Sequence, residues 1–303
     1  MPISPHNIIR PVRMTAKTFV PPKGNRVKVG DNDTWETLAV RAHTTAWALI
    51  RYNYPGLSTD QPTATREVNW YLESYVGCTL LDRDQRNYRF SSADNPGFIW
   101  LPVPGAAETA DEAVRRIVLG VLRGPGISGL NFGVGRIYVA STSYERVAQA
   151  IERGFITVHA NPAMVNMAQY DENANRIDVA PGMTDFALVV HECTHAIFDI
   201  GDYSSTAEES EGIAYIAQAL YVIRRWGPQP RYFPSADFKD PLSWLSWQML
   251  FDEASRLATK LVTTPYISAD EASTFFWAIA HTNFYRGRAG KADGYNGIDP
   301  AFY

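Results

Sequence analysis

Residues 186–195 restrict this chain more than any other stretch. Phe186-Ala187-Leu188-Val189-Val190 is an unbroken apolar run, and His191-Glu192-Cys193-Thr194-His195 follows it directly. The run is far too short to span a bilayer and suits the buried approach of a helix. On a helix, residues four apart stand on one face, one turn above the other, so His191 and His195 can grip a single ion. Glu192, beside the first histidine, can reach a water at that ion without taking a metal position itself. A Lewis acid, an activated water and an adjacent base are what zinc-dependent hydrolysis needs. Cys193 lies between the histidines in sequence but points away from them, as a small buried apolar side chain. Thr184 or Asp185 can cap the helix, and small Ala196 permits close packing after the second histidine.

A catalytic zinc usually takes three protein ligands and leaves one position open. The next helix supplies three acidic candidates, Glu208, Glu209 and Glu211. Glu211 is the favoured ligand, because Gly212-Ile213-Ala214 lets its backbone approach a neighbouring helix closely; Glu208, on the same face, is the alternative. All three also suit the first turn of a helix, whose dipole favours negative charge. Thr206 with Glu209 fits a capping box. Asp199, four residues beyond His195, is placed either to hold an imidazole through its second ring nitrogen or simply to close the helix before Gly201.

The 303 residues are 46% hydrophobic and 20% charged, enough to bury a real core. A formal net charge of −4 gives no electrostatic reason to expect nucleic acid or an anionic membrane as partner. Two cysteines exclude a disulfide framework. The N-terminal residues lack the apolar stretch of a secretory signal, so the expectation is synthesis in the cytoplasm, with any action in the envelope depending on a specialised secretion system or a phage. Pro21-Pro22-Lys23-Gly24 closes an N-terminal arm, residues 1–23, and Pro102-Val103-Pro104-Gly105 separates a module at 24–102 from a larger domain at 103–303. In that domain the periodicity predicts helices near 107–122 and 144–153, strands near 136–140, 155–159 and 176–180, and then helices almost throughout, the last two near 241–262 and 269–286. Trp247, Phe251, Phe275, Phe276 and Trp277 fall at helical spacings and read as a core between those two.

The segment from Tyr170 to Tyr221 resembles the gluzincin metallopeptidases, the thermolysin and aminopeptidase type. His191-Glu192-Cys193-Thr194-His195-Ala196 with Asp199 is similar to the thermolysin zinc helix, and Glu211-Gly212-Ile213-Ala214 to the segment carrying the third ligand in aminopeptidases. The resemblance implies a zinc-dependent peptidase with His191, His195 and Glu211 as ligands and Glu192 as general base. It implies that Tyr170-Asp171 through Ile177, Asp178 and Val179 is the counterpart of the strand that pairs with the substrate backbone. It also implies an oxyanion-stabilising tyrosine or histidine, for which Tyr203, His281 and Tyr285 are candidates. No segment for gripping a substrate amino terminus is visible, so no exopeptidase activity is implied. Residues 27–54, closed by Asn95-Pro96-Gly97-Phe98-Ile99-Trp100, resemble LysM, a module for N-acetylglucosamine-containing glycans such as peptidoglycan, with a long insertion between Asn53 and Asn95.

The expected fold is α+β: a mostly helical zincin-like catalytic domain with a small sheet, preceded by a small βααβ LysM-like module. The expected cofactor is Zn2+, and the expected partner a peptide or protein substrate, peptidoglycan included. The competing reading is a non-catalytic glycan-binding or structural protein with a relic zinc site. Nothing in the sequence sets the oligomeric state.

Overall fold

The computed structural model describes residues 7–83, 85–103, 105, 108–227, 241–282, 287–288 and 290–302. The fold is mixed α+β, dominated by helices, with small sheets. The chain divides into two compact units. One holds residues 1–109, 152–155 and 299–303, the other 110–151 and 156–298.

The first unit contains β1 (Gly24–Lys28), α1 (Trp35–Arg41), α2 (Ala46–Asn53), α3 (Gln61–Tyr71), β2 (Leu80–Leu81), β3 (Tyr88–Arg89) and β4 (Phe98–Pro102). Local chemistry sets the helix starts. Thr34 forms a capping box with Thr37, Thr45 caps α2, and Asp60 caps α3 ahead of a first-turn proline. β1 and β4 pair antiparallel, Gly24 opposite Pro102. Asn53 ties α2 to β4 by exchanging hydrogen bonds with both backbone groups of Trp100. The segment between α2 and β4 supplies much of this core: Tyr71 is fully buried and stacks on Tyr54 at 4.2 Å. Near its end, Ser91 and Ser92 donate hydrogen bonds to Asp31, in the turn after β1. The stretch read as an arm is packed from Met14 to Ala16, because the buried hydroxyls of Tyr71 and Tyr75 take their partners from the Thr15 backbone.

The second unit opens with α4 (Ala110–Leu122), β5 (Phe132–Val134), β6 (Ile137–Val139) and most of α5 (Ser141–Arg153). β7 (Thr157–Ala160), β8 (Ala168–Asp171) and β9 (Arg176–Val179) follow, then α6 (Phe186–Gly201), α7 (Ala207–Trp226), α8 (Pro241–Thr263), β10 (Tyr266–Ile267) and α9 (Ala269–His281). One sheet has the order β10-β5-β6, the other β7-β9-β8. In the second, β9 runs parallel to β7 and antiparallel to β8. This corrects the substrate-strand expectation for Ile177, Asp178 and Val179. Their strand is the middle one, so its backbone is bonded on both sides. Ile177 and Val179 are fully buried, and Asp178 pairs with Arg176 at 3.0 Å. The outer strand beside α6 is β8.

Asp185 caps α6, and the capping box of Thr206 and Glu209 starts α7. α6 is buried on nearly every side, as its apolar run requires; Val189, Val190, Cys193 and Phe198 have no exposure. α7 packs on α6, α8 and α9. Of the aromatic stripe, Phe251 and Phe275 are core, whereas Trp277 is exposed. The predicted helix to residue 286 is described only as far as His281, and Tyr285 lies outside the described residues. No helix among the described residues is long and apolar enough to cross a membrane. Cys78 and Cys193 are buried free thiols.

Gly212 explains how closely α7 and α9 approach. A methyl group there would lie 2.5 Å from the Phe276 ring and 3.3 Å from Ile279. Gly212→Ala gains helix propensity of about 1 kcal/mol but overpacks this contact at about 1–3 kcal/mol. The expected net result is a destabilisation of about 1 kcal/mol, read from the urea midpoint of the full chain. A variant more stable than wild type would show that α9 yields freely.

Candidate metal centre

α6 places the two imidazoles one turn apart, with ring centroids 5.0 Å from each other. Both turn Nε2 to the same point, and the two atoms are 3.3 Å apart. From the second turn of α7, Glu211 Oε2 comes within 3.3 Å of His191 Nε2 and 3.7 Å of His195 Nε2. Among the described residues, these are the histidine, cysteine and carboxylate groups whose ligand atoms cluster closely enough to hold an ion. A circle through three atoms with those separations has a radius of about 2.0 Å, so an ion just off their plane meets all three at the ~2.0–2.2 Å that zinc takes from nitrogen and carboxylate oxygen. The residues present therefore fit zinc in donor type, number and spacing.

The other ring nitrogens orient the histidines. His191 Nδ1 lies 3.2 Å from Oε1 of the buried Gln218. An amide oxygen accepts, so Nδ1 carries the proton and Nε2 offers its lone pair inward. His195 Nδ1 lies 3.0 Å from Ser210 Oγ and 2.7 Å from the Tyr295 hydroxyl. Tyr215 covers the His191 ring at 4.5 Å and is backed by Trp247 and Phe251. Burial alone would raise the Glu211 carboxyl, but His195 and His191 more than reverse this and hold it well below the usual carboxylate range.

Glu192 stands beside this cluster. Its Oε2 accepts a 2.8 Å hydrogen bond from the Tyr170 backbone N–H, which points out of β8. Burial pushes the Glu192 carboxyl up to about 7; His191 opposes the rise and Glu211 adds to it. Glu192 is thus anchored by one oxygen to the rim of the sheet.

The remaining sequence candidates fall elsewhere. Glu208 Oε2 accepts from Gly290 N at 3.0 Å. Glu209 closes the capping box and faces Arg136 at 3.7 Å. Tyr203 packs its ring on Phe198, 5.6 Å between centroids. His281 is exposed, stacks on Trp277 at 4.0 Å, and pairs its Nδ1 with the carbonyl of that residue.

Asp199 does not hold an imidazole, a correction to the outer-shell expectation. Its Oδ2 accepts from the Tyr170 hydroxyl at 2.6 Å, and Oδ1 from Asn296 N and Gly297 N at 3.0 and 2.8 Å. The two Nδ1 positions are already filled by Gln218 and by the Ser210–Tyr295 pair, and Asp199 is spent on anchoring a loop. Asp199→Asn keeps an oxygen for the two backbone donors but forces the Tyr170 hydroxyl to reorient. The expected cost is about 1–2 kcal/mol in urea unfolding, with zinc content unchanged. Loss of zinc in that variant would restore Asp199 as a support of the metal.

No protein-family model, curated protein or solved structure matches this chain.

Sequence reasoning missed Gln218, Ser210 and Tyr295, and it placed Tyr170 on the substrate strand without its contacts to Glu192 and Asp199. Gln218 had a usable signal: it lies two turns beyond Glu211 and so on the same face of one helix. Tyr295 had none, since the glycine-bearing tail around it shows no periodicity.

Proposed function

We propose that the chain is a zinc-dependent metallopeptidase of gluzincin type, with His191, His195 and Glu211 as ligands and Glu192 as general base. The observation that carries this reading is the convergence of His191 Nε2, His195 Nε2 and Glu211 Oε2 at ligand spacing, with Glu192 next to them. Bound there, zinc would supply Lewis acidity to a substrate carbonyl and to water. Glu192 Oε1 takes a proton from the attacking water and returns it to the leaving nitrogen, while Oε2 stays fixed on Tyr170 N. Tyr215 and Trp247 limit water on the His191 side. As an outer strand, β8 suits an extended peptide that adds to the sheet through backbone groups other than Tyr170 N–H, which is given to Glu192.

The zincin-like reading of the second unit is supported by its element order: a small sheet, the helix bearing both histidines, then the helix bearing Glu211. The LysM-like reading of the first unit is supported by the β1-α1-α2-β4 order with antiparallel β1 and β4. The turn after β1 is bonded to Ser91 and Ser92 of the insertion, which favours a structural role for the module over glycan capture. Envelope peptides, including those of peptidoglycan, belong to the proposed substrate class.

Purified protein is expected to carry one zinc per chain by elemental analysis and to cleave members of a fluorogenic peptide library. A chelator should stop cleavage and added zinc restore it. A chain that takes up no zinc on reconstitution would end the proposal.

A further inference from the structure

The loop after α9 is stitched along the corner between α6 and α7. Gly290 N donates to Glu208, Ala207 N donates to the Lys291 carbonyl, Ala292 bridges to Thr206, and Asp293 N donates to the Ser205 carbonyl. Asn296 and Gly297 then donate to Asp199. Between these anchors the loop turns Tyr295 toward the metal helix. Its hydroxyl lies 2.7 Å from His195 Nδ1 and 2.5 Å from Ser210 Oγ, and its ring meets Phe198 edge-on at 5.9 Å. On the same loop the Asp293 carboxylate is 6% exposed and pairs with Arg288 at 3.1 Å.

Donor accounting gives this group one direction. For Nε2 of His195 to offer a lone pair, the ring proton must sit on Nδ1, which then donates to Tyr295. The Tyr295 O–H then donates to Ser210 Oγ. A metal-binding histidine usually gives its second N–H directly to a carboxylate or carbonyl. Here Asp199, the nearby carboxylate on the same helix, is committed to the loop.

We propose that Tyr295 and Ser210 form a positioning relay that fixes the His195 ring with its proton on Nδ1 and so strengthens its Nε2 as a metal ligand. This rests on the metallopeptidase reading of the same site. The relay completes the centre with a side chain from a loop distant in sequence, and docking of residues 290–297 becomes a condition for tight metal binding.

The test measures zinc Kd for the full chain by competition with a chromophoric chelator, together with the visible spectrum of the cobalt-substituted protein and the melting temperature without metal. Tyr295→Phe, which removes one oxygen and keeps the ring, is expected to raise Kd by about 10–100-fold. It should shift the cobalt bands and leave the metal-free melting temperature nearly unchanged. Arg288→Gln, which breaks only the ion pair with Asp293, should leave Kd within about twofold. If Tyr295→Phe fails to fold, Ser210→Ala removes the second hydroxyl of the relay and should raise Kd in the same direction. Zinc affinity and cobalt spectra equal to wild type in these relay variants would overturn the relay alone. A wild-type chain that binds no zinc would overturn the peptidase reading and the relay with it.

Discussion

Glu192→Gln is expected to lower kcat/KM by about 10²–10⁴-fold while zinc content stays at wild-type level. The amide matches the carboxylate in size and keeps an oxygen to accept the Tyr170 N–H, so the 2.8 Å anchor to β8 survives. What disappears is the capacity to take a proton from water and deliver it to the leaving nitrogen. A loss of that size is about 3–5 kcal/mol of transition-state stabilisation at ~1.4 kcal/mol per factor of ten. It should fall on kcat rather than KM, because the group acts on the proton in flight and not on the bound peptide. Elemental analysis and peptide turnover on one preparation decide the matter. Parallel loss of zinc and activity would make Glu192 a ligand, and undiminished turnover would remove it as the base.

Much of the site was legible because its core is written at helical spacing. His191 and His195 share a face through a rule that needs no knowledge of the rest of the fold, and Asp185, Thr206 and Glu209 cap through equally local rules. Glu211 was reachable because Gly212 announces a close approach, although the approach turned out to be by Phe276 of α9. What local rules cannot supply is the order of strands in a sheet. Ile177, Asp178 and Val179 alternate as a strand should, but only the pairing of β9 with both β7 and β8 shows that the strand is central. Asp199 failed for a related reason. Its position one turn beyond His195 suited an imidazole, and nothing in the sequence announced that Asn296 and Gly297 would claim it. The first unit repeats the pattern: Thr34 and Thr45 cap α1 and α2 by local rules, while the burial of Thr15 against Tyr71 and Tyr75 depends on residues more than 50 positions away.

The second large effect separates the carboxylates of α7. In wild type, zinc at about a thousand times its Kd should stabilise the fold by about 4 kcal/mol, because it binds the folded site and not the open chain. For a unit of this size that corresponds to a rise in melting temperature of roughly 8–16 °C. Glu208→Ala should keep most of this rise, since it removes one loop anchor, from Gly290 N at 3.0 Å, while those at Lys291, Ala292, Asp293, Asn296 and Gly297 remain. Glu211→Ala should lose nearly all of it. Two imidazoles 3.3 Å apart remain, but the negative charge that neutralises a dication and closes the triangle is gone. The metal-free form of this variant should still melt cooperatively, because the lost group is a buried carboxylate whose desolvation already opposed its pairing with the imidazoles. A thermal scan of the three proteins with and without zinc is therefore readable in every case. A zinc-dependent rise in Glu211→Ala equal to that of wild type would move the third ligand to another residue and leave only the two histidines in place.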